Sequence, residues 1–88
     1  MKYCLKKLSP EKFLVTITSN LITKHKIYVD KDFYKKITNE KITKEKLVSL
    51  SVEFLLKKED NSTILKSFEL SVILDYFPDY LDFIKRNC

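Results

Sequence analysis

Phe13, Val15 and Ile17 recur at every second position of residues 13–19, with Thr16 and Thr18 on the opposite side. A period of two with β-branched residues predicts a strand with one buried face. Asn20-Leu21 follows, and asparagine tolerates the left-handed backbone of a tight turn where no glycine is present. Residues 23–29 alternate again. Ile27 and Val29 fall on the buried face, and Lys24, Lys26 and Tyr28 on the other. The pair reads as a β-hairpin. Residues 3–8 are a candidate third strand, ended by Ser9-Pro10.

Beyond residue 29 the period changes to that of helices. Asp30 is the expected N-cap of a short helix through Ile37, with Asp32 in its first turn and Phe33 and Ile37 on one face. Thr43 is the expected cap of a helix over 44–58. Its apolar stripe, Leu47, Leu50, Phe54 and Leu55, is widened by Val48, Val52 and Leu56. A stripe that wide predicts burial on more than one side. Lys57 and Lys58 suit the negative end of the helix dipole. Ser62 or Thr63 is expected to cap a helical turn carrying Ile64, Leu65 and Phe68, and Ser71 another carrying Val72, Ile73 and Tyr76. Pro78 fits the first position of a last helix, 78–86, with Tyr80, Leu81 and Ile84 toward the core and Phe83 beside them. The expected fold is α+β in a single domain, 1–88. An antiparallel sheet of two or three strands lies in 1–29, and helices from 30–88 pack on one of its faces.

Composition narrows the function classes. The chain has 88 residues, 44% hydrophobic and 33% charged, which suits a small globular domain. No apolar run reaches the ~18 residues of a membrane span, and no signal peptide is apparent, so a cytoplasmic protein with no membrane partner is expected. Cys4 and Cys88 have no CxxC neighbour and read as free thiols. The net charge of +5 is uneven: residues 1–46 hold twelve lysines against five acids, residues 47–88 five bases against seven acids. Such asymmetry suggests an anionic partner. Sixteen of the seventeen basic residues are lysine, however, and glycine, alanine and tryptophan are absent. AT-rich codon usage is a sufficient source of that bias, so charge alone identifies no partner.

The segment Ser67-Phe68-Glu69-Leu70-Ser71-Val72-Ile73-Leu74-Asp75-Tyr76-Phe77-Pro78-Asp79-Tyr80 resembles one found in small uncharacterised bacterial proteins, a Phe-acid-Leu-Ser-Val-Ile stretch running into Tyr-Phe-Pro-x-Tyr. The resemblance covers about 14 residues. It implies a hairpin followed by helices and a bacterial origin, and it implies no activity. The turn at Asn20-Leu21 departs from the pattern, which has glycine there.

Catalytic groups are hard to find. His25, the lone histidine, reads as an ordinary strand residue, without the second ligand a metal needs. Glu59/Asp60 and Asp79/Asp82 read as solvated caps. Without glycine there is no Gly-rich phosphate loop. No enzyme activity, cofactor, metal or small-molecule substrate is expected.

Binding remains. Five of the eleven aromatic residues follow residue 67: Phe68, Tyr76, Phe77, Tyr80 and Phe83. Tyr76, Phe77, Tyr80 and Phe83 are of types enriched at interfaces. A narrow sheet also leaves an open edge and more apolar helix surface than it can cover. Association with a second copy, or with another protein, through residues 68–84 is therefore the first expectation. The alternative is sequence-tolerant nucleic-acid binding on the hairpin face. Lys24, Lys26, Tyr28 and Lys12 would grip phosphates and stack a base, with Lys31, Lys35 and Lys36 extending the patch. A helix-turn-helix over 62–77 fits by spacing, but Ser71 and Asp75 are poor readers of base edges.

Overall fold

The computed structural model describes residues 3–18 and 21–87. Its α+β chain runs β1 (Tyr3–Ser9), β2 (Lys12–Thr18), β3 (Ile22–Tyr28), α1 (Lys31–Thr38), α2 (Lys44–Lys58), a 3-10 turn (Asn61–Thr63), β4 (Ser67–Glu69), α3 (Leu70–Tyr76) and α4 (Tyr80–Arg86). The strands lie in the order β1-β2-β3-β4. β1 to β3 form an antiparallel meander, and the third strand expected at 3–8 is present. The turn at Pro10-Glu11 joins β1 to β2, and the register slips between Lys7 and Ser9, which leaves Leu8 as an extra residue. Asn20 of the second turn lies outside the described residues.

The sheet is mixed rather than purely antiparallel, and this corrects the expected division at residue 30. β4 comes from the helical part of the chain and pairs parallel to β3, with Ile27 opposite Phe68. Parallel neighbours need a long crossover, supplied here by α1, α2 and the 3-10 turn. The helical turn expected to carry Ile64, Leu65 and Phe68 does not form. Asp60 caps the 3-10 turn through the Asn61 N–H, and Ile64 is already extended at its end. β3 then takes up the chain: the Lys26 N–H donates to the Lys66 carbonyl at 2.8 Å. Without β4 the outer edge of β3 would be left with unpaired backbone groups. The helix-turn-helix reading falls with the same observation, since a strand precedes α3.

The caps of the two long-range helices are where short-range chemistry puts them. Asp30 accepts from the Phe33 N–H at 3.1 Å and Thr43 from the Lys46 N–H at 3.0 Å. α1 ends without glycine: Asn39 and Glu40 are both left-handed, at φ 54° and 60°. The Thr38 hydroxyl steadies them, donating to the Tyr34 carbonyl and accepting from the Glu40 N–H. α3 starts at Leu70, with Glu69 rather than Ser71 at its cap position and no side-chain cap. Pro78 lies in the turn before α4 rather than inside it.

The odd residues of β2 and β3 and the helices share one core. Phe13, Val15, Ile17, Ile27, Phe68, Leu47, Val52, Ile73 and Ile84 are buried in a single cluster. Each such side chain contributes about 1.5–3 kcal/mol on burial. α2 is the centre of the helical layer, with Leu47, Val48, Leu50, Val52, Phe54 and Leu55 all buried. Its N-terminal half reaches the sheet edge, where the Tyr3 hydroxyl lies 2.5 Å from Ser49 Oγ.

Candidate nucleic-acid interface

The helices cover one face of the sheet and leave the other open. Register places side chains of the open face in rows across the strands. Cys4, Thr16 and Lys24 form one row, and Lys6, Leu14, Lys26 and Ser67 the next. Lys12, Tyr28 and Glu69 form the third. Thr18 pairs with Ile22, which is 73% exposed at the far end. Lys6, Lys24 and Lys26 are exposed, while Lys12, Leu14, Thr16 and Tyr28 are half-buried. Lys6 and Lys26 thus stand on either side of Leu14, about 10 Å apart at two strand spacings. Among the described strand residues the only acid is Glu69, at the edge.

Two details change the expected patch. Lys6 belongs to it and was not among the sequence candidates, although Tyr3 and Leu5 alternate with Cys4 and Lys6 and could have signalled it. Lys31, Lys35 and Lys36 stand on α1, in the helical layer, and do not extend the open face. Tyr28 and Lys12 are neighbours across the register, and the Lys12 ammonium lies 5.5 Å from the Tyr28 ring centroid. The ring is therefore engaged by a cation, in a contact of about 0.5–1 kcal/mol at such a site. Stacking a base on Tyr28 would first displace Lys12.

His25 faces inward and is buried, held by two polar contacts. Its Nδ1 lies 2.8 Å from the Leu65 carbonyl and its Nε2 2.8 Å from Thr23 Oγ1. A carbonyl only accepts, so Nδ1 carries the proton. Asn61 Nδ2 joins the group by donating to the Leu21 carbonyl and to Thr23 Oγ1. These contacts tie β3 to the segment leading into β4. Among the described residues no group of three His, Cys, Asp or Glu side chains could hold a metal ion. Cys4 is an exposed free thiol, and Cys88 lies outside the described residues.

The aromatic segment is divided between core and surface. Tyr80 is fully buried and is withdrawn as an interface residue. Its ring and those of Phe77 and Phe83 surround Phe54 of α2, with centroids 5.4, 5.9 and 5.2 Å from it. α2 offers a wide apolar face, and these rings fill it. Phe77 and Phe83 are half-buried, and only Tyr76 of the four is mostly exposed, at 69%. Burial pushes the Tyr80 phenol well above the usual tyrosine range. At the start of α4 the Lys58 ammonium donates to Asp79 at 2.7 Å and holds that carboxyl below its usual range. No helix among the described residues is long and apolar enough to cross a membrane.

Comparison with known proteins finds no matching family model, no matching curated protein and no matching solved structure.

Proposed function

We propose that this is a cytoplasmic bacterial protein that binds nucleic acid without catalysis, holding the phosphate backbone against the open face of its sheet. The observation that carries this reading is the register: Lys6, Lys12, Lys24 and Lys26 all project from the one face that no helix covers. Lysines stand on the helices and in the loops as well, but there acids such as Asp32, Glu45, Glu53 and Asp82 are interspersed with them. On the strands Glu69 is the lone acid. Leu14, Thr16 and the aliphatic stems of the lysines give a flat, weakly apolar floor on which a sugar-phosphate chain can lie.

The contacts on offer are to phosphate. Arg, Asn and Gln side chains, which read base edges, are absent from the strands, and the Tyr28 ring already carries Lys12. Binding on this face is accordingly sequence-tolerant and salt-sensitive. The test is fluorescence anisotropy of labelled random-sequence RNA and DNA at two salt concentrations, with the wild type and a Lys24→Glu/Lys26→Glu variant. Micromolar binding that salt and the double reversal both abolish supports the reading. No binding at low salt, or unchanged binding by the variant, removes it.

A further inference from the structure

The C-terminal end of α2 separates two mostly apolar clefts that differ in the charges they carry. On one side lies a groove of about 360 Å³, mostly apolar, lined by Leu55, Ile64, Leu65, Phe68, Tyr76 and Phe77 with Glu59 at its edge. Tyr76 is 69% and Leu65 50% exposed, so two large apolar side chains face solvent there. On the other side is a cleft of about 270 Å³ lined by Phe54, Phe83, Lys57, Lys58, Asp79 and Arg86. The Lys57 ammonium lies over the Phe83 ring at 5.7 Å, while Lys58 is held by Asp79.

Charges divide the same way. Glu59 lines the groove, and Asp60 and Asp75 belong to the segments that bound it, whereas Glu69 projects on the open face of the sheet. Among the described residues, Glu59, Asp75, Lys57 and Arg86 form no ion pair; Lys58–Asp79 is the one present. The patch thus places Glu59 and an exposed ring beside a cleft that carries Lys57, Lys58 and Arg86 against Asp79 alone. Each half presents what the other lacks.

We infer that the protein pairs with a second copy of itself through this surface, about a two-fold axis near the end of α2. A two-fold contact requires self-complementarity, because every residue of one copy meets the patch that the axis carries across. A patch divided into an acidic and a basic half meets that condition: each acid lies opposite a base of the other copy. Tyr76 of each copy enters the apolar cleft of its partner. Phe77 and Phe83 serve as walls, already packed on Phe54. A standard interface takes roughly 800 Å² from each partner. That is a sizeable part of a surface of 5559 Å², so both clefts are covered together. The pairing leaves the lysine face of the sheet free and does not depend on what that face binds.

Charge reversal tests the two-fold directly by sedimentation equilibrium. One variant carries Glu59→Lys and Asp75→Lys, the other Lys57→Glu and Arg86→Glu. Wild type should rise from the 10.5 kDa monomer toward twice that mass with concentration. Each reversal alone should stay monomeric, by like-charge repulsion across the axis, and an equimolar mixture should regain the dimer. Circular dichroism melts report whether each variant is folded, and Tyr76→Ala, a change at an exposed ring, should weaken the dimer at least tenfold without lowering the melting temperature. A wild type that stays monomeric at high concentration overturns the inference, as does a mixture that fails to pair or a Tyr76→Ala variant that pairs as well as wild type.

Discussion

The Tyr80 hydroxyl lies 2.6 Å from Ser51 Oγ, inside the core between α4 and α2. Ser51 is itself 2.7 Å from the Leu47 carbonyl, to which only the serine can donate. Its single proton is committed there, so the Tyr80 hydroxyl is the donor to Ser51. Tyr80 is thus fixed in the core by its own proton, and a phenolate at this position would lose that bond.

Replacing Tyr80 by Phe should cost about 1 kcal/mol at neutral pH, the net worth of one hydrogen bond with no large cavity left behind. The larger effect is alkaline. Folding raises the Tyr80 phenol above its ordinary value of 10.0. Above that pH the unfolded chain releases a proton that the folded chain keeps, so stability is fully present below pH 10 and falls as pH rises. Wild type should lose about 1.4 kcal/mol per pH unit in this range relative to Tyr80→Phe. Urea titrations of both proteins at pH 9, 10 and 11 read the difference, and parallel curves would refute it.

Phe54 should be the costliest core position in the helical layer. Three rings pack on it, and it is buried. Phe54→Ala should destabilise by about 3–5 kcal/mol. That is a large part of the ~5–15 kcal/mol available to a whole domain. Phe54→Leu should cost distinctly less. Urea midpoints at constant slope are the check, and equal losses for the two variants would contradict the ring packing.

If the open face grips phosphates with Lys6, Lys12, Lys24 and Lys26, the salt slope counts them. The logarithm of affinity should fall against that of salt with a slope of roughly −3.6 for duplex and −2.8 for single strands. Lys6→Ala should flatten each slope by about one contact, whereas Lys36→Ala, on α1, should leave it unchanged. Tyr28→Leu should weaken binding little, because the ring is occupied by Lys12. A large loss from Tyr28→Leu would instead show that bases stack there.

The elements that the sequence states clearly are those with local causes. β2 and β3 follow from alternation, and α1 and α2 from Asp30 and Thr43, which cap donors three residues away. β4 is different. Ile64, Leu65 and Phe68 are spaced as on a helix, and what makes the segment extended is pairing with a strand about 40 residues earlier. The His25–Leu65 contact spans that same separation, so no local pattern announces it. Alternation sets Lys6 on the face opposite Tyr3 and Leu5, but its meaning depends on which sheet face the helices take. Tyr80 fits both a core and an interface pattern, and only the packing of α4 on α2 decides between them.

The contacts joining β3 to the β4 segment should be measurable as a local unit. Asn61→Ala removes donors to the Leu21 carbonyl and Thr23 Oγ1. It should destabilise by about 1–3 kcal/mol. Hydrogen exchange should quicken first in β4 and the end of β3, before the β1–β2 pair. Uniform acceleration over all four strands would mean that β4 is no separate unit.

The parallel seat of β4 also sets an order in time. A chain made from its N-terminus completes β1, β2 and β3 while Phe13, Val15, Ile17 and Ile27 have nothing to cover them. α2 arrives next, yet the outer edge of β3 stays bare until residue 69 has been made, and Tyr80 and Ile84 come later still. Closing so long a loop slows folding more than it weakens the folded state. For that interval the nascent protein is an open sheet edge beside an uncovered apolar face, the form in which a second unfinished chain can add to it.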